Sequence, residues 1–455
     1  MKSFLVTPAS CLKGQIKLAG DKSIAHRAVI IGAISKGKTA IKNFPANKDC
    51  LATLGALRSL GVEIVSKNSK IVVSGKGLHG LRKPQRHIFI EESGTTFRLL
   101  LGVLAGQDFQ VTLDAGKPLS ARPMRRVTEP LRMMGAQIGA RCSPACRSGR
   151  VLACLPVRQG ARHEEYPPIT IRGGKLRPVS YRLPVASAQV KSALLLAGLY
   201  ADGITKISEP LKTRDHTERM LGLCKAGIKI KGDTIFIRGQ KELSSAGKIQ
   251  VPADISSAAF FMVAAAILPG SRISIKNVSL NPSRIGIIRV LKRMGASIRC
   301  QSAKYQVSKF EPMGDITVKS SKLKGVRVKR EGIPSLIDEL PVLMVAACFA
   351  KGKTILEGVG ELRVKETDRI RSMSENLKKM GAKIVIRKRL GREDLIIEGV
   401  NKLRGAEVRS FADHRTAMSM VIAGLKAEGN TLIDDVSCID KSFPEFLSIL
   451  KPLLR

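Results

Sequence analysis

Leu57-Arg-Ser-Leu-Gly-Val-Glu-Ile64 is the most informative segment for predicting the fold, because variants of it recur along the chain. Its apolar residues are three apart, which is helical spacing. The glycine can take the left-handed conformation that ends a helix, and the residues after it begin a strand. Each occurrence therefore predicts a helix, a glycine turn and a strand. Five copies and a degenerate sixth occur, at Leu57–Ile64, Leu131–Ile138, Leu223–Ile230, Leu291–Ile298, Leu377–Ile384 and Leu447–Leu454.

The spacing of these copies predicts how the chain is divided. Their separations run from 68 residues (Leu223 to Leu291) to 92 residues (Leu131 to Leu223). Such units are too long for a solenoid repeat and too short for a large domain. Six of them are best interpreted as two pseudo-threefold domains of three units each.

Helical and strand patterns alternate between these copies, which indicates an α/β fold. Helices are predicted at Ser23–Ile34, Thr95–Leu104, Ala188–Leu199, Ser256–Leu268 and Ile337–Phe349. Strands are predicted at Lys70–Ser74, Gln110–Leu113, Thr234–Arg238, Arg272–Ile275, Asp315–Val318, Thr354–Leu356 and Leu395–Glu398. Composition alone places the domain boundary in the polar stretch Leu243–Lys248.

The charge balance of the 455-residue chain is abnormal. It has 78 Lys and Arg against 37 Asp and Glu, a formal net charge of +41. Such a charge suggests a nucleic-acid-binding protein. However, the basic residues are spread along the whole chain, Trp is absent, and few aromatic residues could stack on bases. We therefore favour a basic solvated surface without a nucleic-acid partner, whose field attracts small phosphorylated anions.

Membrane, export and metal-binding signals are weak. The longest apolar run, Ala258–Leu268, is shorter than the ~20 residues of a membrane span. The N-terminus has no apolar segment typical of a secretory signal. Nine scattered cysteines predict reduced thiols and a cytoplasmic location. The spacing Cys142-x3-Cys146-x7-Cys154 does not fit a zinc site, so no metal is expected.

Four predicted helix starts share one design: a capping residue with a cation nearby. A helix N-terminus has free N–H groups and binds anions, and a cation strengthens the attraction. Capping alone is an equally good explanation of these patterns. The four starts are Gly20-Asp-Lys22-Ser23 with Arg27, Glu92-Ser-Gly94-Thr-Thr96 with Arg98, Ser187-Ala-Gln189 with Lys191, and Ala412-Asp-His-Arg415.

Two further segments are candidates for chemistry. The prolines around Arg122 fix the backbone of the loop Lys117–Arg126 and so aim that guanidinium, although an ordinary solvated turn fits as well. If Arg363–Arg369 is helical, Lys365, Glu366 and Arg369 share one side, as a surface ion-pair lattice also would. Asp338 and Glu339 precede an apolar run, and a carboxylate in apolar surroundings suits a proton carrier.

Taken together, these motifs resemble 5-enolpyruvylshikimate-3-phosphate synthase, the enolpyruvyl transferase family of the shikimate pathway, from Gly20 to Glu445. The resemblance depends on several motifs in order: Ser93-Gly-Thr95, Leu119-Ser-Ala-Arg-Pro-Met124, Ser187-Ala-Gln-Val-Lys191, Arg214-Asp-His-Thr-Glu218, Arg363-Val-Lys-Glu-Thr-Asp-Arg369 and Asp413-His-Arg415.

The resemblance implies a two-domain, inside-out α/β fold with three βαβαββ-type units in each domain. Residues 21–250 would form one domain, and residues 1–20 with 251–455 the other. The active site would lie in the cleft between them. The resemblance further implies a cytoplasmic transferase of aromatic amino-acid biosynthesis that uses no cofactor, and we expect a monomer.

The family's reaction transfers the enolpyruvyl group of phosphoenolpyruvate to the 5-hydroxyl of shikimate 3-phosphate and releases phosphate. By resemblance, Asp338 takes the hydroxyl proton and Glu366 serves at C3, with Lys22 as a third catalytic group. The shikimate 3-phosphate ligands would be Lys22, Ser23, Arg27, Ser187, Ala188, Gln189, Asp338 and Lys365, with Arg214 also reaching it in one branch of the family. The phosphoenolpyruvate ligands would be Lys22, Gly94, Arg122, Gln189, Arg369, Arg415 and Lys441.

Two alternatives stay open at this point. The related UDP-N-acetylglucosamine enolpyruvyl transferases carry a cysteine five residues before the loop Arg-Pro, where this chain has Lys117, and Lys-Asn where it has Lys22-Ser23. A basic nucleic-acid-binding protein is supported only by the net charge.

The resemblance gives conflicting signals about the inhibitor glyphosate, which occupies the phosphoenolpyruvate site in this family. The wording of Ser187–Lys191 and Arg214–Glu218 is typical of the glyphosate-tolerant branch. That branch often carries Ala where this chain has Gly94, and Asn-x-Thr-Arg where it has Asn281-Pro-Ser-Arg284.

Overall fold

The computed structural model describes residues 2–142, 164–302, 310–389 and 392–455. The chain divides into two compact units. The terminal unit consists of Met1–Asp21 and Pro252–Arg455, and the inserted unit of Lys22–Val251. These limits differ by one residue from those implied by the family resemblance. The boundary suggested by composition, Leu243–Lys248, is wrong, because Lys248–Gln250 pairs with a strand of the inserted unit.

The two units contain 23 strands and 13 α-helices in the part of the chain that the structure describes. The terminal unit begins with β1 (Phe4–Val6) and β2 (Lys13–Lys17). The inserted unit continues with α1 (Lys22–Ala33), β3 (Lys36–Lys42), α2 (Lys48–Ser59), β4 (Glu63–Lys67), β5 (Lys70–Lys76), β6 (Ile88–Ile90), α3 (Gly94–Leu104), β7 (Gln110–Ala115), α4 (Lys117–Ser120), α5 (Arg125–Met133), β8 (Gln137–Arg141), β9 (Tyr166–Arg172), β10 (Ser180–Arg182), α6 (Ala188–Gly198), β11 (Ile204–Ser208), α7 (His216–Leu223), β12 (Gly227–Lys231), β13 (Thr234–Arg238) and β14 (Lys248–Gln250). The terminal unit resumes with α8 (Ile255–Ile267), β15 (Arg272–Ser279), α9 (Gly286–Arg293), β16 (Ser297–Ser302), β17 (Met313–Lys319), β18 (Arg327–Val328), α10 (Leu340–Cys348), β19 (Lys353–Leu356), α11 (Arg369–Lys379), β20 (Lys383–Arg389), β21 (Arg392–Glu398), β22 (Glu407–Val408), α12 (His414–Leu425), β23 (Thr431–Ile433) and α13 (Phe446–Leu450).

Six small sheets, five of them with one topology and the sixth a shorter version of it, confirm the predicted six-unit α/β organisation. In five of them a parallel pair is followed by two antiparallel strands: β14-β3-β5-β4, β6-β7-β9-β8 and β10-β11-β13-β12 in the inserted unit, and β2-β15-β17-β16 and β18-β19-β21-β20 in the terminal unit. The sixth sheet has three strands, β22-β23-β1. After α13 the chain forms a 3₁₀ turn around Pro452, which has no N–H to donate to a sheet.

The most apolar helices lie inside each unit, with the sheets around them. In the terminal unit α8, α10 and α12 pack against one another, and nearly every one of their residues is buried. In the inserted unit α3 contacts both α1 and α6, and these helices are similarly buried. Each central helix therefore has its N-terminus fixed by close packing, which is what a binding site needs.

The predicted helix–glycine–strand turn is confirmed in four copies. Gly61, Gly135, Gly295 and Gly381 have φ between +82° and +108°, which glycine adopts without a Cβ clash. In the third copy, the left-handed turn comes two residues earlier than the sequence pattern predicts. Helix α7 ends at Leu223, and Lys225 takes the left-handed position with φ +59°, so Gly227 already belongs to β12.

Two predicted helices differ from the structure near candidate functional residues. Helix α10 begins at Leu340 rather than Ile337, so Asp338 and Glu339 lie in the turn before it. The segment Arg363–Arg369 is not one helix, because Asp368 caps α11 and Lys365 is extended. The argument from helical spacing is therefore wrong there.

Candidate active site

Lys22 and Ser23 form the first turn of α1 in the inserted unit. The Nζ atom of Lys22 lies 2.8 Å from Oδ2 of Asp49, the first acidic residue of α2. Asp49 is buried whereas Lys22 is only partly buried, so the pair fixes the ammonium where solvent or a ligand can still reach it. Lys22 and Ser23 both belong to the predicted set of substrate ligands.

Arg27 lies one turn further into α1 and is almost fully buried. Its Nε donates to Oγ1 of Thr217 at 2.7 Å, Nη2 donates to Oγ of Ser192 at 2.8 Å, and Nη1 donates to the carbonyl of Ser23 at 2.9 Å. These three acceptors are neutral groups, and together they orient the guanidinium. That arrangement is suited to an anionic ligand.

Gly94 begins α3 beside two guanidinium groups. The preceding Ser93 caps the helix by accepting from the N–H of Thr96 at 3.2 Å. A Cβ at Gly94 would lie 2.9 Å from Nη1 of Arg122 and 3.1 Å from Nη1 of Arg98. Only glycine therefore lets Arg122 approach the helix start this closely, and the structure brings together the predicted residues Gly94 and Arg122.

Gln189 links α6 to α3. Its Oε1 accepts from Nη1 of Arg98 at 2.6 Å, and its Nε2 donates to Oγ1 of Thr95 at 2.9 Å. Arg98 also donates to the carbonyl of Pro123, next to Arg122, at 3.3 Å. The buried Arg98 thus holds Gln189 and the arginine loop, rather than acting simply as a cation at a helix start.

The remaining candidates of this unit surround the start of α6. Ser187 caps the helix by accepting from the N–H of Val190, and Ala188 is its first residue. Arg214 lies in the loop before α7, and its Nη1 is 3.5 Å from Oγ of Ser23. The structure therefore brings Arg214 to the end of α1 that carries Lys22.

Lys191 does not have the role predicted from its place near the start of α6. Its side chain is fully buried, and Nζ lies 2.8 Å from Oε1 of Glu209 and 2.6 Å from Oε1 of Glu218. Both carboxylates are themselves buried, so Lys191 does not face a ligand site, and the prediction of an available cation at this helix start is wrong.

Sequence reasoning missed a buried hydroxyl chain in the inserted unit. The Nδ1 of His26 is 2.6 Å from Oγ1 of Thr53, which is 2.6 Å from Oγ1 of Thr96, which in turn is 2.7 Å from Oγ of Ser93. The chain connects α1, α2 and the capped start of α3. The spacing of these residues does not reveal the whole chain, because they come from three different helices.

Asp338, Glu366 and Arg369 meet in the terminal unit. The guanidinium of Arg369 is buried, with Nη2 2.6 Å from Oε2 of Glu366, Nε 2.9 Å from Oδ2 of Asp413 and Nη1 3.4 Å from Oδ1 of Asp338. Asp338 and Glu366 are about one-fifth exposed. The two predicted proton carriers are thus oriented by one arginine.

Arg415 lies at the start of α12, which Asp413 caps. Its Nη1 donates to the carbonyl of Asp338 at 2.8 Å, and Nη2 is 3.8 Å from Oδ2 of the same residue. Asp338 is therefore surrounded by arginines, and the expectation of apolar surroundings is wrong for it.

Burial lowers the pKa of Lys365, and nearby Asp338 opposes that change. Lys441 ends a 3₁₀ turn, Ser437–Lys441.

Glu339 has a different environment from its neighbour Asp338. It is buried, accepts from Oγ of Ser256 and lies 3.6 Å from Nη2 of Arg284. Arg284 also pairs with Oδ2 of Asp21 at 3.1 Å and lies 3.7 Å from Oδ1 of Asp254. Burial and the charge of Asp21 raise the pKa of Asp254 to about 6. Arg284 therefore organises a buried acidic cluster that the sequence motif did not reveal.

Other candidate chemistry is limited. Among the residues that the structure describes, no three His, Cys, Asp or Glu side chains are grouped to hold a metal ion. Six of the seven described cysteines are free thiols, whereas Cys142 is disulfide-bonded, which corrects the prediction of reduced thiols there. Cys146 and Cys154 lie outside the described residues. No helix in the described ranges is long and apolar enough to cross a membrane.

Two units of three βαβαββ-type repeats, with capped helix starts and buried arginines in each, define an enolpyruvyl-transferase-like α/β protein. The chain matches the family model described as EPSP synthase (3-phosphoshikimate 1-carboxyvinyltransferase) over residues 6–450. The chain belongs to the EPSP synthase family.

Individual relatives agree with this assignment along the whole chain. The chain is 45% identical over 451 residues to the 3-phosphoshikimate 1-carboxyvinyltransferase of Desulforamulus reducens, with 99% of each chain covered. It is 46% identical over 453 residues to the enzyme of the same name from Thermodesulfovibrio yellowstonii, again covering 99% of each. A solved EPSP synthase structure from Acinetobacter baumannii superposes with a TM-score of 0.83 and 40% identity, covering 100% of this chain and 98% of that one.

Proposed function

We propose that this chain transfers the enolpyruvyl group of phosphoenolpyruvate to the 5-hydroxyl of shikimate 3-phosphate and releases phosphate, in the shikimate pathway. The observation that carries the proposal is the family match over residues 6–450, joined to a cation-rich set in one unit and paired carboxylates in the other. A reaction between two phosphorylated anions needs both features, because it must bind the charges and move protons.

Shikimate 3-phosphate is assigned to the inserted unit's cations and hydroxyls, with help from the terminal unit. Arg27 and Arg214 supply guanidinium groups on either side of Ser23, and the capped start of α6 supplies backbone N–H groups. The full proposed set is Lys22, Ser23, Arg27, Ser187, Ala188, Gln189, Arg214, Asp338 and Lys365.

Phosphoenolpyruvate is assigned to a second set, mostly arginines and lysines, which shares Lys22 and Gln189 with the first. Gly94 leaves room for Arg122 beside the N-terminus of α3, where the helix dipole favours an anion. Arg369 and Arg415 lie next to Asp338, so a ligand bound to them would be close to the proposed base. The full proposed set is Lys22, Gly94, Arg122, Gln189, Arg369, Arg415 and Lys441.

Proton transfer is assigned to Asp338, Glu366 and Lys22. Asp338 would accept the proton of the 5-hydroxyl as its oxygen attacks C2 of phosphoenolpyruvate. Glu366 would deliver a proton to C3 and remove one from it when phosphate leaves. Arg369 holds both carboxylates, so their separation is set before substrates arrive.

The alternatives to this function have less support. The relatives' names specify 3-phosphoshikimate as acceptor rather than a UDP-sugar. Nucleic-acid binding has no support beyond the net charge of +41. We further propose that the protein is cytoplasmic and acts as a monomer on its small-molecule substrates.

The deciding experiment is release of inorganic phosphate by the purified chain. Release should require both shikimate 3-phosphate and phosphoenolpyruvate, and the product should be identified by mass spectrometry. A protein that releases phosphate only when UDP-N-acetylglucosamine replaces shikimate 3-phosphate would have the alternative transferase activity. Salt-sensitive retention on DNA, without either activity, would favour the nucleic-acid-binding hypothesis.

A further inference from the structure

A buried ion cluster in the inserted unit has no part in the function proposed above. It consists of Lys191 on α6, Glu209 after β11 and Glu218 on α7. All three side chains are nearly inaccessible, so none of them can contact a substrate. Burying three charged groups is unfavourable unless they are paired, and two carboxylates here share a single cation. The cluster therefore needs an explanation beyond stability.

Glu209 uses its two carboxylate oxygens for different tasks. Its Oε1 pairs with Nζ of Lys191 at 2.8 Å. Its Oε2 accepts from both the backbone N–H of Thr213 at 2.9 Å and the hydroxyl of Thr213 at 2.5 Å. Thr213 directly precedes Arg214, so the conformation of the loop that carries Arg214 is fixed by Glu209.

The same helices are joined a second time, by the residue after Lys191 on α6 and the residue before Glu218 on α7. Oγ of Ser192 lies 2.6 Å from Oγ1 of Thr217, and Arg27 donates to both of these hydroxyls. Lys191 precedes Ser192, and Glu218 follows Thr217. The ion cluster and the hydroxyl pair are thus two layers of one joint between α6 and α7.

We infer that Glu209, held by Lys191, is a positioning residue that orients Arg214 for binding shikimate 3-phosphate. The inference rests on the proposed function, in which Arg214 is a ligand of that substrate. Lys191 anchors Glu209, Glu209 fixes Thr213, and Thr213 fixes the backbone of Arg214. Glu218 balances the lysine and keeps α7 in place.

Glu209→Gln tests this without leaving an unpaired charge. Glutamine keeps the shape, and Lys191 retains Glu218 as its counter-ion. A single amide oxygen cannot serve both Lys191 and Thr213, so the loop loses part of its support. We expect the KM for shikimate 3-phosphate to rise about tenfold, with kcat and the KM for phosphoenolpyruvate within about twofold.

A double-mutant cycle with Arg214→Ala separates positioning from general stability. If Glu209 acts through Arg214, then Glu209→Gln should change the KM for shikimate 3-phosphate by less than about twofold when Arg214 is already alanine. An equal factor in both backgrounds would overturn the inference, as would an unchanged KM in the Glu209→Gln variant alone.

Matched variants keep the result interpretable. Glu165 is also buried, accepts from a threonine hydroxyl (Thr128, 2.5 Å) and pairs with a cation (Arg132, 2.8 Å). Glu165→Gln should leave the KM for shikimate 3-phosphate unchanged.

If Glu209→Gln does not fold, Thr213→Val removes one hydroxyl donor and should give the same pattern at about threefold. Wild-type protein without coupled phosphate release would refute the proposed function itself, whereas additive effects in an active enzyme refute only this inference.

Discussion

Arg27 of the inserted unit and Arg369 of the terminal unit are both buried arginines of the proposed site, and different kinds of group orient them. Arg27 donates to two hydroxyls and a carbonyl, which are neutral groups. Arg369 lies against the carboxylates of Glu366, Asp413 and Asp338. Arg284, elsewhere in the terminal unit, also lies among three carboxylates.

A strongly basic chain can use these two kinds of contact for binding and for proton transfer. Neutral acceptors orient a guanidinium without themselves compensating its charge. Carboxylates compensate a guanidinium, and the guanidinium in turn holds them in place as acids and bases. We therefore expect a change to Arg27 to affect mainly binding, and a change to the carboxylates held by Arg369 to affect mainly turnover.

Asp338→Asn should have the largest effect. An amide has nearly the same shape but is a poor base, so kcat should fall at least about a hundredfold while shikimate 3-phosphate affinity stays within about tenfold. Steady-state kinetics and calorimetric titration measure the two quantities. Asp315→Asn, which alters a partly exposed pair with Lys276 in the same unit, should leave both unchanged. Turnover of Asp338→Asn within about threefold of wild type would exclude Asp338 as the base.

Arg27→Lys tests the binding side of the comparison. Lysine keeps the charge but loses the planar fork that contacts Thr217, Ser192 and the Ser23 carbonyl together, so the KM for shikimate 3-phosphate should rise about tenfold. The value of kcat should change by less than about threefold. Arg58→Lys, on a helix surface of the same unit, is the control. A fall in kcat with unchanged KM would contradict the assignment of Arg27 to substrate binding.

Gly94→Ala should have a smaller effect confined to the phosphoenolpyruvate end. The new methyl group would lie 2.9 Å from Nη1 of Arg122, so that guanidinium must shift. We expect a rise of about threefold in the KM for phosphoenolpyruvate and a larger rise in the glyphosate inhibition constant. Gly55→Ala, in a helix with open space at the new Cβ, should change neither. Native insensitivity to glyphosate that Gly94→Ala leaves unaltered would show that tolerance is determined elsewhere.

Asp254→Asn should have the smallest effect, on stability rather than activity. The folded protein raises the pKa of Asp254 from about 3.8 to about 6, so it binds a proton more tightly than the unfolded chain does. The contribution of Asp254 to the free energy of unfolding is therefore greatest below about pH 3.8 and is lost as the pH rises through about 6. Asparagine still caps α8 and cannot ionise beside Asp21. We expect the Tm to rise by about 2–4 °C at pH 8 and by less at pH 4.5.

Thermal unfolding of the wild type and Asp254→Asn across this pH range checks that sign. An equal Tm difference at both pH values would mean that Asp254 does not change protonation in the folded protein. Glu339, Asp21, Arg284 and Arg415 also face this carboxyl group or its partners, so the comparison uses a variant that leaves all of them in place.

The amino-acid sequence alone was enough to predict the six-unit repeat and the helices that form the interior. These signals are local: apolar residues at helical spacing, a glycine that ends each helix, and a strand after it. Local patterns also placed Lys22, Gly94 and Ser187 at helix starts, since capping involves residues adjacent in the chain. Even the local signal failed where Lys225 took the position expected of glycine.

Which charged groups meet, and what each one does, depends on the tertiary structure. Lys191 and Arg27 follow similar helix starts, yet one is buried between two glutamates and the other is held by hydroxyls. Asp338 and Glu339 are neighbours in the chain, but the turn before α10 directs one toward Arg369 and the other toward Arg284. The partners in each case come from other helices and loops. The charge state and role of a side chain depend on which groups share its surroundings, and packing of distant segments determines that.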